Sequence, residues 1–430
     1  MFQTLKNAWN MPELRKKILY TLFILLIFRF GSCIPVPFIN TELLATYFEQ
    51  SQVAGSMLGY LDMFTGGGLS NATIFAMSIT PYINASIILQ LLTVAIPALE
   101  RMVKEGGEEG RKRIASWTRY VAVVLGLLQG FSYYALLRSN GFLSNTSVLA
   151  AAAIILTFTA GTALIMWLGE HITQNGIGNG ISIILFAGIV SRGPSLIRTL
   201  YNLFKQGGGS IISALLMIVI GLAVVVFIVF MSNAERRIPV QYAKRVVGRK
   251  MYGGQSSHIP LKVNMTGVMP IIFAQAIASL PATIAAFAGV SKNDPGFWGG
   301  FLRVFDTTSI FYIVVYFLLI VGFSFFYSTM QFNPVEVANN LKKNGGFIPG
   351  FRPGKPTADF IHKVLNKITM FGALYLAIIA IAPIVTGAVI GVSSLAIGGT
   401  SIIIVVGVAL ETTKALEAQM LMRHYKGFLE

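Results

Sequence analysis

The sequence has little charge, one cysteine and no motif for binding a nucleotide. Asp, Glu, Lys and Arg make up 12% of the 430 residues, about half the share found in soluble proteins. Because Cys33 is the one cysteine, an intramolecular disulfide bond is excluded. No G-x-x-x-x-G-K-S/T loop is present, and His171, His258, His362 and His424 are too scattered for an obvious metal site. We therefore predict no ATPase activity of its own, no metal and no cofactor.

Hydrophobic residues make up 54% of the chain, and the mean hydropathy is +0.70. A helix that crosses a bilayer needs about 20 predominantly apolar residues. Segments that meet this requirement are numbered here as spans 1 to 10: 18–38, 71–96, 116–137, 147–169, 179–199, 211–231, 265–289, 307–330, 369–391 and 397–415. We therefore predict an all-α, polytopic membrane protein with ten transmembrane helices.

The basic residues are distributed unevenly between the two sides of the predicted membrane. With the N-terminus inside, the external segments hold only Arg138, Arg192, Arg198, Lys205, Lys292 and Arg303 of the 33 Lys and Arg residues. Arg29 lies within span 1, and the others fall on the cytoplasmic side. Because cytoplasmic loops carry the excess of Lys and Arg, both termini are predicted to be cytoplasmic.

Two long loops on the predicted cytoplasmic side are basic and rich in Pro, Gly and aromatic residues. Residues 232–264 include ERRIPVQYAKRVVGRK, and residues 331–368 include NPVEVANNLKKNGGFIPGFRPGKPT. Loops of this kind set membrane topology, dock large and partly acidic partners or bind anionic lipids. The residues alone leave these three interpretations open.

Short motifs recur at matching spans in the two halves of the chain. PYINA at 81–85 in span 2 matches PIIFA at 270–274 in span 7. Likewise, GISIIL at 180–185 in span 5 matches GTSIII at 399–404 in span 10. Five spans per half would insert the halves with opposite orientation, as in inverted-repeat transporters. The repeat therefore predicts that spans 2, 5, 7 and 10 surround a shared centre.

The centre between the predicted N-terminal half, 1–205, and C-terminal half, 206–430, holds aliphatic side chains. Transporters usually carry ionisable groups at mid-membrane, and Arg29, interpreted as snorkelling or internally paired, is the one such candidate within a span. The central candidates are Ile79, Ile83, Ile181, Leu185, Ile272 and Ile404. A ring of branched aliphatics excludes water and can seal around an extended polypeptide. Isoleucine in a membrane helix also commonly faces lipid or packs, so this function stays one of two interpretations.

Two other classes of membrane protein stay open as alternatives. A small-solute transporter would need a defined polar or ionisable site at mid-membrane, which the sequence does not offer. An insertase or scaffold without a through-pore would not need repeat-related aliphatics.

A short apolar segment between spans 1 and 2 is punctuated by glycine. Residues 54–72 read AGSMLGYLDMFTGGGLSNA, with Asp62 as the one acidic residue. The segment is too short and too broken to cross a bilayer, yet too apolar for an ordinary solvent loop. Since glycine permits hinging, the segment need not be a fixed element; an external cap helix is the other interpretation.

Several long motifs resemble the SecY family, the large subunits of bacterial protein-conducting channels. They are TPYINASIILQLL, QNGIGNGISIILFAGIV, ERRIPVQYAKR, GGFIPGFRPGKPT and GGTSIIIVVGV, and the similarity covers the whole chain. The resemblance implies a channel with two inverted five-helix halves around a central pore. It would translocate unfolded secretory polypeptides across the plasma membrane and release transmembrane segments sideways into lipid.

The resemblance also implies roles for individual residues. A plug at about 54–70 would include Met57, Leu58, Leu61, Asp62, Met63 and Phe64. The pore ring would be the same six aliphatic residues, with Leu185 departing from an all-isoleucine ring. A lateral gate would lie between spans 2 and 3 on one side and spans 7 and 8 on the other. Its polar candidates are Asn84, Gln90, Thr93, Gln129 and Gln275.

The partners that the resemblance implies are SecE, SecG, the SecA ATPase, ribosomes, secretory preproteins and signal peptides, with anionic lipids as a further possibility. The channel itself would be passive, with SecA or the ribosome supplying the energy. Candidates for partner binding in the basic loops are Arg236, Arg237, Lys244, Arg245 and Arg352.

Overall fold

Helices form most of the chain in the computed structural model, which confirms the predicted helical class. The structure describes residues 2–49, 59, 62, 65–206, 209–242, 245–247, 250–252, 256–281, 297–305, 309–390 and 398–426. The helices are α1 (Phe2–Asn10), α2 (Pro12–Gly31), α3 (Thr41–Glu49), α4 (Thr80–Ala95), α5 (Pro97–Glu105), α6 (Gly107–Ser139), α7 (Val148–Asn175), α8 (Gly180–Val190), α9 (Gly193–Gln206), α10 (Gly209–Asn233), α11 (Met269–Ala278), α12 (Phe297–Val304), α13 (Ile310–Gln331), α14 (Pro334–Lys343), α15 (Lys355–Ile390) and α16 (Gly398–Lys426).

Each predicted span contains helix, but not every helix is long enough to cross a bilayer. Among the described residues, the helices that begin at Gly107, Val148, Ile310 and Lys355 meet that requirement by length and composition. A fifth span is possible if α4 and α5, which are bent by 104° at their junction, count as one. The number of ten spans therefore stays a prediction.

Two predicted spans have different boundaries in the structure. Residues 71–79 of span 2 form turns, because Ala72 and Ser78 adopt positive φ angles of 43° and 49°, which a right-handed helix excludes. Helix α4 begins only at Thr80, with Pro81 in its first turn, a favoured position for proline. Span 5 is divided after Val190, because Pro194 lacks the backbone N–H that would continue α8.

The two basic loops fold together into one small unit that the sequence analysis did not predict. Strand β1 (Glu235–Tyr242) pairs antiparallel with β4 (Ser256–Lys262) and with β5 (Gly346–Phe347), while β2 (Arg245–Val247) pairs with β3 (Lys250–Tyr252). The pairing of β1 with β5 joins the two loops through Gln241 with Phe347 and Tyr242 with Gly346. The hydrophobic core of this unit consists of Ile238, Val240, Leu261, Leu341, Ile348 and Ile361. We call residues 235–242, 256–262 and 334–365 the basic module.

The helices pack in two groups that share a central cluster. Helices α4, α6 and α7 pack successively in the first group, and α11, α13, α15 and α16 in the second. The repeated motifs begin helices at matching points, since Pro81 and Pro270 are the second residues of α4 and α11. Between the groups, Ile404 and Val408 of α16 pack with residues of α2, α7 and α8. This central cluster positions the candidate site.

Candidate functional site

Six aliphatic side chains meet where helices of both halves converge. They are Ile79 and Ile83 at the start of α4, Ile181 and Leu185 of α8, Ile272 of α11 and Ile404 of α16. Ile79, Leu185 and Ile404 are 0%, 3% and 1% exposed, and the other three pack partly buried against the same cluster. We call these six residues the ring. The structure thus brings together all the central residues that the repeat singled out.

Local sequence positions the ring residues at helix starts. The Asn179 side chain accepts hydrogen bonds from the backbone N–H groups of Ile181 at 3.1 Å and Ser182 at 3.5 Å. This N-cap fixes where α8 begins, and therefore places Ile181 and Leu185 one turn apart on one face. Proline in the first turn has the same effect on α4 and α11.

A cavity of about 50 Å³ lies beside the ring. It is lined by Thr80, Ile83, Asn84, Leu185, Ile271, Ile272, Gln275, Ala276, Ser279, Thr400 and Ile404. In this part of the described structure, the buried Gln275 Oε1 and Thr400 Oγ1 have no hydrogen-bond partner. A void of this volume has room for water, which such acceptors bind. The ring therefore borders a small, mostly apolar cavity whose lining includes two polar atoms without a protein partner.

Helix α4 meets the second group of helices at α11 and, through one hydrogen bond, at α13; we call this contact, with Ile87, Gln90 and Tyr327, the seam. The Tyr327 hydroxyl of α13 donates a hydrogen bond to Gln90 Oε1 of α4, and Gln90 Nε2 donates to Ser86 Oγ at 3.0 Å. Ile87 of α4 is 3% exposed and packs in a cluster whose other buried members all come from residues 228–403. The seam is therefore closed by apolar packing and by one polar pair.

The other predicted gate residues make different contacts. Gln275 Nε2 donates to the Tyr312 hydroxyl at 3.4 Å, so this bond joins α11 to α13 within one half. The Thr93 hydroxyl donates to the Gln90 carbonyl at 2.7 Å within α4. Asn84 lines the cavity, and Gln129 lies partly buried on α6. Of the five candidates, Gln90 has a hydrogen bond across the seam.

The segment before α4 is anchored through Asp62. This side chain is buried, accepts a hydrogen bond from the Ser70 backbone N–H at 2.7 Å and forms an ion pair with Arg192. The residues that follow are largely buried, among them Leu69, Ala72, Phe75 and Ala76. The other predicted plug residues, Met57, Leu58, Leu61, Met63 and Phe64, lie outside the described residues.

The SecY family model matches residues 73–413. The SecY protein translocase subunit of Streptomyces scabiei is 45% identical over the full length of both chains, and that of Thermotoga maritima is 44% identical over 100% of this chain and 98% of its own. The chain belongs to the SecY family. It is therefore a membrane protein and a channel subunit of a protein translocase.

Solved structures with the SecY fold resemble the chain over most of its length. One is a SecY channel whose plug domain stabilises the closed state, with a TM-score of 0.65, 17% identity and coverage of 94% of this chain and 92% of that one. Another is Sec61 in a canine ribosome–channel complex, with a TM-score of 0.61, 16% identity and the same coverage. At these identities the similarity shows the shared fold.

The basic module presents some of the arginines that the SecY resemblance pointed to. Arg236 and Arg237 are exposed on β1, where Arg237 Nε lies 2.7 Å from Glu235 Oε1. Arg352 is exposed between β5 and α15, and its carbonyl accepts a hydrogen bond from the Thr357 hydroxyl at 2.8 Å. The backbone of Arg245 lies in β2, and Lys244 lies outside the described residues.

The sequence places Arg29 about halfway along span 1, whereas the structure places it near the end of helix α2. Helix α2 begins at Pro12 and ends at Gly31, so Arg29 lies in its last turn and is exposed. A basic residue there complements the negative end of the helix dipole.

Three residues at this SecY-family site were missed by sequence reasoning. A signal existed for Tyr327, because a tyrosine hydroxyl in an apolar helix usually has a hydrogen-bond partner. Arg192 was counted only as an external charge. Ile87 gave no signal, since apolar helices contain isoleucine at many positions.

Proposed function

We propose that this SecY-family chain passes unfolded secretory polypeptides through the ring and releases apolar segments sideways through the seam. One observation carries the proposal: six aliphatic residues, from α4 and its N-cap, α8, α11 and α16, meet in one cluster between the two halves. A constriction of branched aliphatics gates by excluding water and makes no sequence-specific contact. It therefore suits a substrate of variable sequence.

The segment at about 54–70 is assigned as the plug that closes the external side of the ring. Its described part supports this role, since Asp62 and Leu69 are buried beside the helices of the first half. Glycines at 66 and 67 adopt positive φ angles of 69° and 89°, which only glycine adopts readily. These glycines give the chain a sharp turn at the end of the plug.

Lateral release is assigned to the seam between α4 and α13. Ile87 and Gln90 hold the seam through apolar contact and one hydrogen bond. Interhelical hydrogen bonds in membranes contribute about 0.6–2 kcal/mol each. A seam of this kind is weak enough to open when an apolar segment competes for the same surfaces. Asn84, Thr93, Gln129 and Gln275 are assigned supporting roles in the same gate.

The energy and the partners come from outside the chain in this proposal. We assign the chain to the bacterial plasma membrane, with both termini and the basic module cytoplasmic, on the distribution of Lys and Arg. The exposed Arg236, Arg237 and Arg352, together with Lys244 and Arg245, would bind SecA or ribosomal RNA phosphates. SecE and SecG would complete the complex, and anionic lipids would contact the same basic surface. The chain itself would act as a passive, non-enzymatic channel.

A disulfide crosslink tests the path of the polypeptide. In a Cys33→Ser background, a cysteine replaces Ile272 of the ring, and a secretory chain with a single cysteine is stalled during export. We expect a crosslink because the ring must contact every residue that passes.

The control cysteine replaces Val226, which lies on α10 and is 68% exposed. A crosslink at 272 and none at 226 supports the proposal. Equal or absent crosslinks at both positions, with export intact, would show that the polypeptide does not pass the ring.

A further inference from the structure

Asp62 and Arg192 connect the end of the plug segment to the external end of α8. The Asp62 side chain is 4% exposed, and Arg192 follows directly after the Ser191 C-cap of α8. Their side chains form an ion pair, and Asp62 Oδ1 also accepts the Ser70 backbone N–H. The pair therefore joins residues 130 positions apart in the sequence.

The backbone of the segment lies against the same end of α8. A Cβ at Gly66 would lie 2.8 Å from the Gly188 carbonyl oxygen and would clash with the Ser191 hydroxyl. The Tyr133 hydroxyl of α6 also donates to the Leu69 carbonyl at 2.6 Å. The segment is thus held in close contact with α8 by backbone packing, and the ion pair lies at its edge.

A buried carboxylate is costly unless it is paired and hydrogen-bonded. Removal of one partner from a buried ion pair is strongly destabilising, because the other charge then lacks compensation. Asp62 in this position depends on Arg192, whose side chain is 32% exposed. Because water reaches Arg192, the arginine can separate from Asp62 and stay hydrated.

We propose that Asp62 and Arg192 form an ionic latch that holds the plug closed against α8, an inference that rests on the proposed plug role. Helix α8 also carries Ile181 and Leu185 of the ring. A movement of α8 that widens the ring displaces Arg192 from Asp62, since both ends belong to one short helix. The latch therefore couples release of the plug to widening of the ring. Asp62 and Arg192 act as positioning residues and do not contact the polypeptide.

Substitutions that each remove one charge test the latch, and the readout is the resting ion conductance of the purified complex in planar bilayers. Asp62→Asn keeps an acceptor for the Ser70 N–H and removes the charge, and Arg192→Gln removes the other charge. We expect each to raise the resting conductance about tenfold, because a buried ionic contact that favours the closed state is lost. Arg192→Lys keeps the charge and should stay near the wild-type conductance.

The double variant Asp62→Asn/Arg192→Gln distinguishes a latch from two separate effects. If the residues act as one pair, the double variant conducts no more than the single variants. If the conductance increases of the two single variants multiply in the double variant, the residues act separately and the latch is wrong. An equal increase in the control Arg198→Gln, which removes an exposed arginine six positions further along the chain, would also overturn the latch.

A deletion of residues 57–67 separates the latch from the plug assignment itself. If the deletion raises the conductance and the single substitutions do not, the latch is wrong and the plug assignment stands. If neither change raises the conductance, the plug assignment is wrong and the latch fails with it.

Discussion

Tyr327→Phe is the most direct perturbation of the seam, because it removes one hydroxyl and no apolar contact. The hydroxyl donates across the seam to Gln90 Oε1, while Gln90 Nε2 keeps its bond to Ser86. Interhelical hydrogen bonds in a membrane average about 0.6 kcal/mol and reach about 1.7 kcal/mol. Since about 1.36 kcal/mol corresponds to a factor of ten, opening of the seam should become about 3- to 18-fold more favourable.

Spin labels on the two helices report the opening. In a Cys33→Ser background, cysteines at Val94 of α4 and Met330 of α13 carry the labels, because these side chains are 50% and 49% exposed. Double electron–electron resonance then gives the fractions of short and long distances. The concentration of a synthetic signal peptide that half-opens the seam should fall by the same 3- to 18-fold factor, because the peptide binds the open state.

The control is Tyr120→Phe, which removes a hydroxyl from an exposed tyrosine on α6. This change should leave the distances and the half-opening concentration unaltered. An unaltered seam in Tyr327→Phe, or an equal shift in Tyr120→Phe, would refute the assignment of this hydrogen bond to gating.

Three further substitutions test other parts of the structure. Arg352→Glu should reduce SecA-driven export into inverted vesicles at least about tenfold by charge repulsion, with membrane insertion of the chain unchanged; normal export would contradict the docking assignment. Gly161→Ala places a methyl group against the Ile74 carbonyl oxygen and should lower the unfolding temperature by several degrees, whereas Gly126→Ala makes ordinary contacts and should not. Leu261→Ala empties a fully buried position of the basic module at a cost of about 2–5 kcal/mol, so limited proteolysis of the β1–β4 hairpin should accelerate; an unchanged rate would mean that the module has no cooperative core.

The helical class of the fold could be predicted because long apolar runs have one stable solution in a bilayer. The boundaries of span 2 could not, since positive φ at Ala72 and Ser78 depends on tertiary contacts. The basic module was also missed, although its first strand carried a signal. Ile238 and Val240 alternate with exposed residues, which is the period of a strand, but the surrounding charges favoured a loop.

Within the candidate site, too, some features could be predicted from the sequence and others could not. The proximity of the ring residues could be predicted from the repeat, because equivalent helices of two halves meet at the shared axis; their role in sealing stays a prediction. Polar gate candidates could be found by residue type, but only packing decides which of them has a partner across the seam. The Asp62–Arg192 pair lay beyond sequence reasoning, because nothing local relates two residues so far apart.

The long helix α15 connects the core of the basic module to the helices at the seam. One continuous helix carries Ile361, in the module core, and Ile379, which precedes Pro383 and lies in the cluster that also holds Ile87 of the seam. At 1.5 Å per residue these positions are about 27 Å apart. Because both lie before the proline that can bend the helix, a partner that tilts the module by about 10° moves the far position by about 5 Å. A partner bound to the basic module would therefore shift helices at the seam without contacting the seam itself.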